Sequence, residues 1–365
     1  MNSRKLLSVL IFVLSVQFCT AQNLLPGFDK QEYIEMMYIS ARTTQSSKYY
    51  NTIPAPRHFK QTYVSPVMGL DNLWDMWENE DHSQVVISIR GTTANGVSWL
   101  DNFYAAMVPA KGRMQIGKED FFDYELSPNP RAAVHVGWLI STGFLSRDML
   151  PKINDAYSRG IKNILVVGHS QGGAISFLLT AYFYSLQQKN ELPADIRFKT
   201  YCSAAPKPGN LYFAYTYEAL TQNGWAYNVV NAADWVPQAP VSIQTLDDFN
   251  NTNPFLNAAG MMKKQKFPKN VALKYVYHQL DKPTRTAQRR YEKYLGRMAS
   301  KAVQKQLPGF VAPEYYPSND YARCGNTIVL QGAEDYYKRY PESKENLFIH
   351  HFHPPYLYLA SQLKQ

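Results

Sequence analysis

Residues 168–172 read Gly168-His169-Ser170-Gln171-Gly172, a serine with a glycine two places before it and another two places after. A serine held on a sharp strand-to-helix turn sits in a strained backbone conformation, and flanking glycines remove the Cβ clashes that such a turn creates. A hydroxyl is a weak nucleophile until a base takes its proton and a third group orients that base. The chemistry this pattern suits is acyl transfer through a covalent intermediate, with the chain order serine, carboxylate, histidine. Asp234, in Asn231-Ala232-Ala233-Asp234-Trp235-Val236-Pro237, follows a strand-like run and falls at its C-terminal edge, where open α/β sheets place their sites. Asp247 and Asp248 lie in a polar stretch and read as solvated. Four histidines follow: His278, His350, His351 and His353. His278 stands among Lys274, Tyr277 and Lys282 and reads as a surface residue. One of the other three is the expected base, and the local pattern does not choose among them. No carboxylate or cysteine stands beside them at helical spacing, so no metal site is expected.

The elements that must position these groups alternate between strand-like and helix-like runs, the mark of a mostly parallel sheet flanked by helices. Val85-Val86-Ile87-Ser88-Ile89, Ile164 to Val167, Arg197–Cys202 and Trp225–Val230 read as strands. Met149, Leu150, Ile153, Ala156 and Tyr157 recur at helical spacing, with Gly160 as the stop. Ala174 to Leu186 is apolar nearly all round, so it predicts a central buried helix. After Pro240 the alternation breaks, and 240–345 is expected to be an insertion or cap within a single domain, 22–365.

The chain has 365 residues, 45% of them hydrophobic and 18% charged. It is too apolar for a disordered chain and long enough to bury a core without disulfide staples. Arg4 and Lys5, the apolar run Leu6 to Phe18 and the small residues of Cys19-Thr20-Ala21 predict a secretory signal over 1–21 and an exported protein. Cys202 and Cys324 would then remain, and Cys202 lies on a strand-like run that predicts a buried free thiol.

Beyond the serine turn, several segments meet a family in order. Ile89-Arg90-Gly91-Thr92 with Trp99 and Asp101, Val134-His135-Val136-Gly137-Trp138, Ala205-Pro206-Lys207-Pro208-Gly209-Asn210 with Phe213-Ala214, Asn231 to Pro237, and His353-Pro354-Pro355-Tyr356 resemble the motifs of the class 3, fungal-type lipases. The resemblance spans residues 85–240 and 350–360. It implies an α/β-hydrolase fold, with Ser170 as nucleophile, Asp234 as the orienting carboxylate and His353 as the base. It further implies an oxyanion hole from Thr92 and the backbone N–H of Gln171, and no cofactor. Gln171 would head a helix, where backbone N–H groups lack internal partners. Arg90 and His135 are expected to fasten the strand end and the loop beneath the site. The segment from Ala94 to Phe103 has room for only a short lid helix.

The implied reaction is hydrolysis of a carboxylic ester such as an acylglycerol. A phospholipase A1, a short-chain or aryl carboxylesterase, and a non-catalytic binding protein on the same fold are the alternatives. Formal charge is +9 for the whole chain, and +7 once residues 1–21 are removed. Residues 261–306 alone hold 13 basic and two acidic side chains, a charge of +11, so the remainder is mildly acidic. Residues 282–306 are expected to form a helix packed through Tyr291, Leu295, Met298 and Ala302. Its basic face would suit anionic membrane or envelope. A nucleic-acid partner is not expected, since no known binding motif occurs.

Overall fold

The strand that leads to Ser170 lies at the middle of a seven-stranded sheet in the computed structural model, which describes residues 24–364. The predicted signal at 1–21 therefore lies outside the described residues. The strands are β1 (Phe59–Val64), β2 (Trp74–Asn79), β3 (Gln84–Ile89), β4 (Asn163–His169), β5 (Arg197–Ser203), β6 (Ala226–Asn231) and β7 (Asn326–Leu330). They stand side by side in chain order. β1–β2 and β2–β3 pair antiparallel, and every later neighbour pairs parallel.

Strands covered on both faces read as near-continuous apolar runs, and β3 and β4 supply them at Val85–Ile87, Ile89 and Ile164–Val167. Alternation divides those side chains between two cores. Val85, Ile87, Ile164 and Val166 face one cluster, with Ile175, Leu178 and Leu179 of the helix Gln171–Gln188 and with Trp138 and Ile140 of the helix Val136–Ser158. Val86, Leu165 and Val167 face the other, with Tyr33, Met36 and Met37 of the helix Lys30–Thr43 and Tyr356 and Leu359 of the helix His353–Ser361. The result is the layered α/β arrangement of the α/β-hydrolase fold. Cys202 and Cys324 are both free and buried.

Two expectations about the late segment change. The sheet takes back the chain at β7, so the stretch outside it ends before residue 326 rather than at 345. β7 is a five-residue edge strand with only Leu330 fully buried, too short and too exposed to give an apolar signal. The basic helix begins earlier than expected, at Lys269, and Pro283 stands inside it. It runs through a π-helical stretch, Lys293–Met298, into Ala299–Gln306. The wider π turn shifts the inward face by a residue. Gly296, Ser300 and Val303 point inward, and Met298, expected to be packed, is 60% exposed.

Candidate active site

Ser170 follows β4 directly and caps the helix Gln171–Gln188 with φ 61° and ψ −130°, outside the ordinary allowed regions for a side-chain-bearing residue. Such strain costs about 1–3 kcal/mol and persists where neighbours over-determine it. Two glycines show how tightly. A Cβ on Gly168 would lie 2.2 Å from the Gly172 carbonyl carbon, and one on Gly172 would lie 2.2 Å from the Ile89 oxygen. The Ser170 N–H donates to Ser203 O at 2.9 Å, which ties the turn to β5.

The Ser170 hydroxyl donates to His351 Nε2 at 2.8 Å, and His351 Nδ1–H donates to Asp234 Oδ2 at 2.7 Å. Because an ionised carboxylate only accepts, this bond fixes the imidazole as the tautomer whose Nε2 is free to take a proton. Asp234 lies just past β6, its side chain fully buried, while that of His351 is 5% exposed. Asp234 Oδ1 accepts the Val236 N–H at 3.0 Å, and Oδ2 also accepts the Tyr356 hydroxyl at 2.8 Å.

His353, expected as the base, does not reach the serine. It opens the last helix and is buried, with its backbone N–H donating to the Tyr49 hydroxyl, Nδ1 accepting from that hydroxyl at 2.8 Å and Nε2 donating to Ser40 Oγ at 3.2 Å. Burial, aided by nearby His351, holds its pKa down at about 3, so the ring is neutral. His350 is placed differently again, with Nδ1 at 2.8 Å from the Tyr336 hydroxyl. The histidine that meets Ser170 stands two residues before the expected one, and the cause is tertiary: Ser40 and Tyr49, far away in sequence, occupy both nitrogens of His353.

His169 supports His351 from below. Its Nε2–H donates to His351 O at 2.7 Å, its Nδ1 accepts from Ser203 Oγ at 3.2 Å, and its ring stacks on His353 with centroids 4.3 Å apart. Ser203 Oγ also bonds the Tyr33 hydroxyl at 2.8 Å. Burial, with the two neighbouring histidines, pushes the His169 pKa well down, which keeps this ring neutral too. Sequence reasoning missed this support, because Tyr33, Ser40 and Tyr49 come from an N-terminal region that shows no motif.

The loop after β3 passes beside Ser170, since a Cβ on Gly91 would lie 3.5 Å from Ser170 Cβ. Thr92 follows, its Oγ1 accepting from Asn102 Nδ2 at 2.9 Å. Asn102 is held in turn by Trp138 Nε1–H to its side-chain oxygen at 3.1 Å and by His135 Nε2–H to its carbonyl at 3.1 Å. His135 is buried against Trp138, with ring centroids 3.7 Å apart, and burial lowers its pKa to about 3. Arg90 donates to Asp71 O at 2.7 Å, and Asp71 accepts the Thr93 hydroxyl at 2.5 Å. Arg90 and His135 thus fasten the loop. Thr92 lies on that loop, and Gln171 heads the helix that follows Ser170.

Asp101 joins these pieces. Its Oδ2 accepts from Gln171 Nε2 at 2.7 Å, Ser141 Oγ at 2.7 Å and Asn72 Nδ2 at 3.1 Å, while Oδ1 is buried without a partner. Burial raises its pKa from 3.8 to about 7. The folded state therefore holds a proton that the unfolded chain releases, and stability falls as pH rises through that window. Asp101→Asn is expected to flatten the decline by a few kcal/mol, read as a smaller drop in thermal midpoint between acid and neutral pH. A variant with the wild-type pH slope would show that Asp101 does not titrate there.

A short helix, Gly96–Phe103, follows the loop, capped by the Asn95 side chain accepting the Val97 N–H at 3.0 Å. Its Trp99 and Phe103 are exposed and stacked, and Trp99 and Trp235 both meet Phe348, which in turn touches the His351 ring. An aromatic rim thus borders Ser170 and His351. Among the described residues no cluster of three His, Cys, Asp or Glu side chains is arranged to hold a metal ion.

Residues 86–243 match the family of class 3 lipases, which takes in β3, the serine turn and the Asp234 loop. Over that segment the chain is similar to the class 3 lipases. Among solved structures it is similar to the Rhizomucor miehei triacylglyceride lipase, with 19% identity, TM-score 0.43, and coverage of 59% of this chain and 77% of that one. It is also similar to the lipase of Rhizopus microsporus var. chinensis, with 21% identity, TM-score 0.42, and coverage of 60% and 71%. For the Rhizomucor miehei lipase propeptide complex the values are 19%, 0.42, 59% and 65%, so the match spans just under two thirds of that chain. No curated protein sequence matches this chain.

Proposed function

We propose that the protein is an exported, lipase-like serine hydrolase of carboxylic esters. The observation that carries this reading is the hydrogen-bonded line from Ser170 through His351 to Asp234. A substrate ester carbonyl would meet Ser170 Oγ while His351 Nε2 takes the hydroxyl proton. The imidazolium so formed is held by Asp234. The oxyanion of the tetrahedral intermediate would be met by the Gln171 N–H and Thr92, donors whose individual loss typically costs about 3 kcal/mol of barrier. His351 then returns the proton to the leaving alcohol, and the acyl group remains on Ser170. In the second half a water gives its proton to His351 and attacks the acyl carbonyl, releasing the acid and restoring the serine. No step requires a cofactor.

The aromatic rim of Trp99, Phe103, Trp235 and Phe348 favours an ester with an apolar acyl chain, so acylglycerols are the first substrates to try. Phospholipids and short p-nitrophenyl esters complete the series that would fix chain length and head group. Export rests on the sequence of residues 1–21 alone: a basic start, an apolar run and small residues at a cleavage position.

A fluorophosphonate probe tests the reading directly. It should label the wild-type protein stoichiometrically, and Ser170→Ala should abolish the labelling. A folded wild-type protein that resists the probe would overturn the hydrolase and leave a binding protein on the same fold.

A further inference from the structure

We propose that the outer half of the basic helix Lys269–Glu292, together with the chain leading into it from Met261, is a docking arm for an anionic lipid membrane. This rests on the reading of the chain as a hydrolase of lipid esters.

The inner half of the helix is held to the body. Arg285 pairs with Asp281 at 2.8 Å and also with Asp247, Gln288 is buried, and Ala287 and Tyr291 are half-buried. At the helical period, Tyr291, Ala287 and Thr284 form one row, and the same row continues outward through Leu280, Val276 and Leu273. Its cover ends near Asp281. Leu280 is 69% exposed, and Val276 and Leu273 are exposed beside it. Phe267, at the foot of the helix, is 82% exposed. From Lys269 to Leu280 nearly every side chain is exposed whichever way it points, over a length of about 18 Å at the usual rise. An apolar row that serves as a packing face in one half of a helix lies open in the other.

Charge selects what covers it. Residues 261–280 carry Lys263, Lys264, Lys266, Lys269 and Lys274 and no acidic residue. Among the described residues, none of the five lysines lies within ion-pair distance of a carboxylate. A second copy would bring the same five positive charges against this face and be repelled. A nucleic acid would satisfy the lysines and leave Phe267, Val276 and Leu280 in water. An anionic bilayer meets both demands, with headgroup phosphates for the lysines and the acyl boundary for the apolar row.

The test is vesicle co-sedimentation of the full chain carrying Ser170→Ala, which leaves the lipid intact. Phosphatidylcholine vesicles are compared with mixed phosphatidylcholine and phosphatidylglycerol vesicles at low salt. Partitioning onto the anionic vesicles should be stronger by about tenfold or more. Adding Val276→Asp and Leu280→Asp should lower it by about tenfold, and so should Lys263→Glu with Lys264→Glu and Lys266→Glu. Placed in the otherwise wild-type chain, the aspartate pair should keep fluorophosphonate labelling of Ser170, which shows that the fold survives. Equal binding to both kinds of vesicle, or binding unchanged by the aspartate pair, overturns the proposal. So does a concentration-dependent dimer that the aspartates dissolve while no vesicle binding is seen. Vesicle binding as expected in a protein that resists the probe would uphold the docking arm and sink the hydrolase.

Discussion

Replacing His351 with alanine is expected to lower kcat by about 10⁴- to 10⁶-fold, whereas His353→Ala should change it by less than about tenfold. Among the described residues His351 is the histidine that meets the Ser170 hydroxyl, and Asp234 orients its imidazole. Without it the serine proton has no acceptor, and what remains is the catalysis supplied by binding and by oxyanion donors. His353 acts on the fold instead. Its loss leaves Ser40 and the Tyr49 hydroxyl without their ring partner in a buried place, and it removes a ring stacked on His169. The cost should be about 1–3 kcal/mol of stability. Steady-state hydrolysis of a p-nitrophenyl ester and thermal unfolding read the two effects separately. A folded His353→Ala protein as inactive as His351→Ala would overturn this assignment.

Asp234→Asn should reduce kcat by about 10³- to 10⁴-fold with little effect on folding. The carboxylate accepts on every side: from Val236 N–H on Oδ1, and from His351 Nδ1–H and the Tyr356 hydroxyl on Oδ2. An amide has only one oxygen. If that oxygen stays with Val236 N–H, the amide nitrogen faces His351 and donates to Nδ1. The imidazole is then driven to the tautomer with its hydrogen on Nε2, where it cannot take the serine proton. Tyr356→Phe separates orientation from charge, since it removes one donor to Asp234 and should cost far less activity than the amide. Retention of more than about a tenth of wild-type kcat by Asp234→Asn would mean that the carboxylate does not set the tautomer.

The parts of the molecule that could be read from the residues were those whose cause is local. β3 and β4 are legible because strands buried on both faces read as near-continuous apolar runs, as Val85–Ile89 does apart from Ser88 and Ile164–Val167 does throughout. The serine turn is legible because its glycines stand at a fixed spacing about Ser170, Gly168 forced by Gly172 within the turn and Gly172 by Ile89 of β3 beside it. Asp234 follows from its place at the end of β6. The base is another matter, because three histidines within four positions carry the same chemistry. What separates them is the hydroxyls of Ser40, Tyr49 and Tyr336, which reach them through tertiary packing. The same reason hid the helix Lys30–Thr43, whose polar residues are spread along a half-buried face. It hid β7 as well, which belongs to the sheet only through its pairing with β6. The π turn at Lys293–Met298 shows a further limit: a regular helical period predicted Met298 inside, and one wider turn put it outside.

The chain-order arrangement of the large sheet has a consequence for how the protein comes into being. Each parallel strand joins an edge formed by the strand before it, so the sheet can grow by successive addition, each step closing only the connection just synthesised. The serine turn is complete once β5 is in place, and Asp234 arrives with β6. His351 is made more than a hundred residues later, and the turn that carries it leads into a final helix that docks on Lys30–Thr43 near the other end of the described chain. A nascent molecule can therefore own a finished sheet and a strained serine while still lacking His351. On the proposed reading, Ser170 has no acceptor for its proton until the turn carrying His351 closes against the helix Lys30–Thr43.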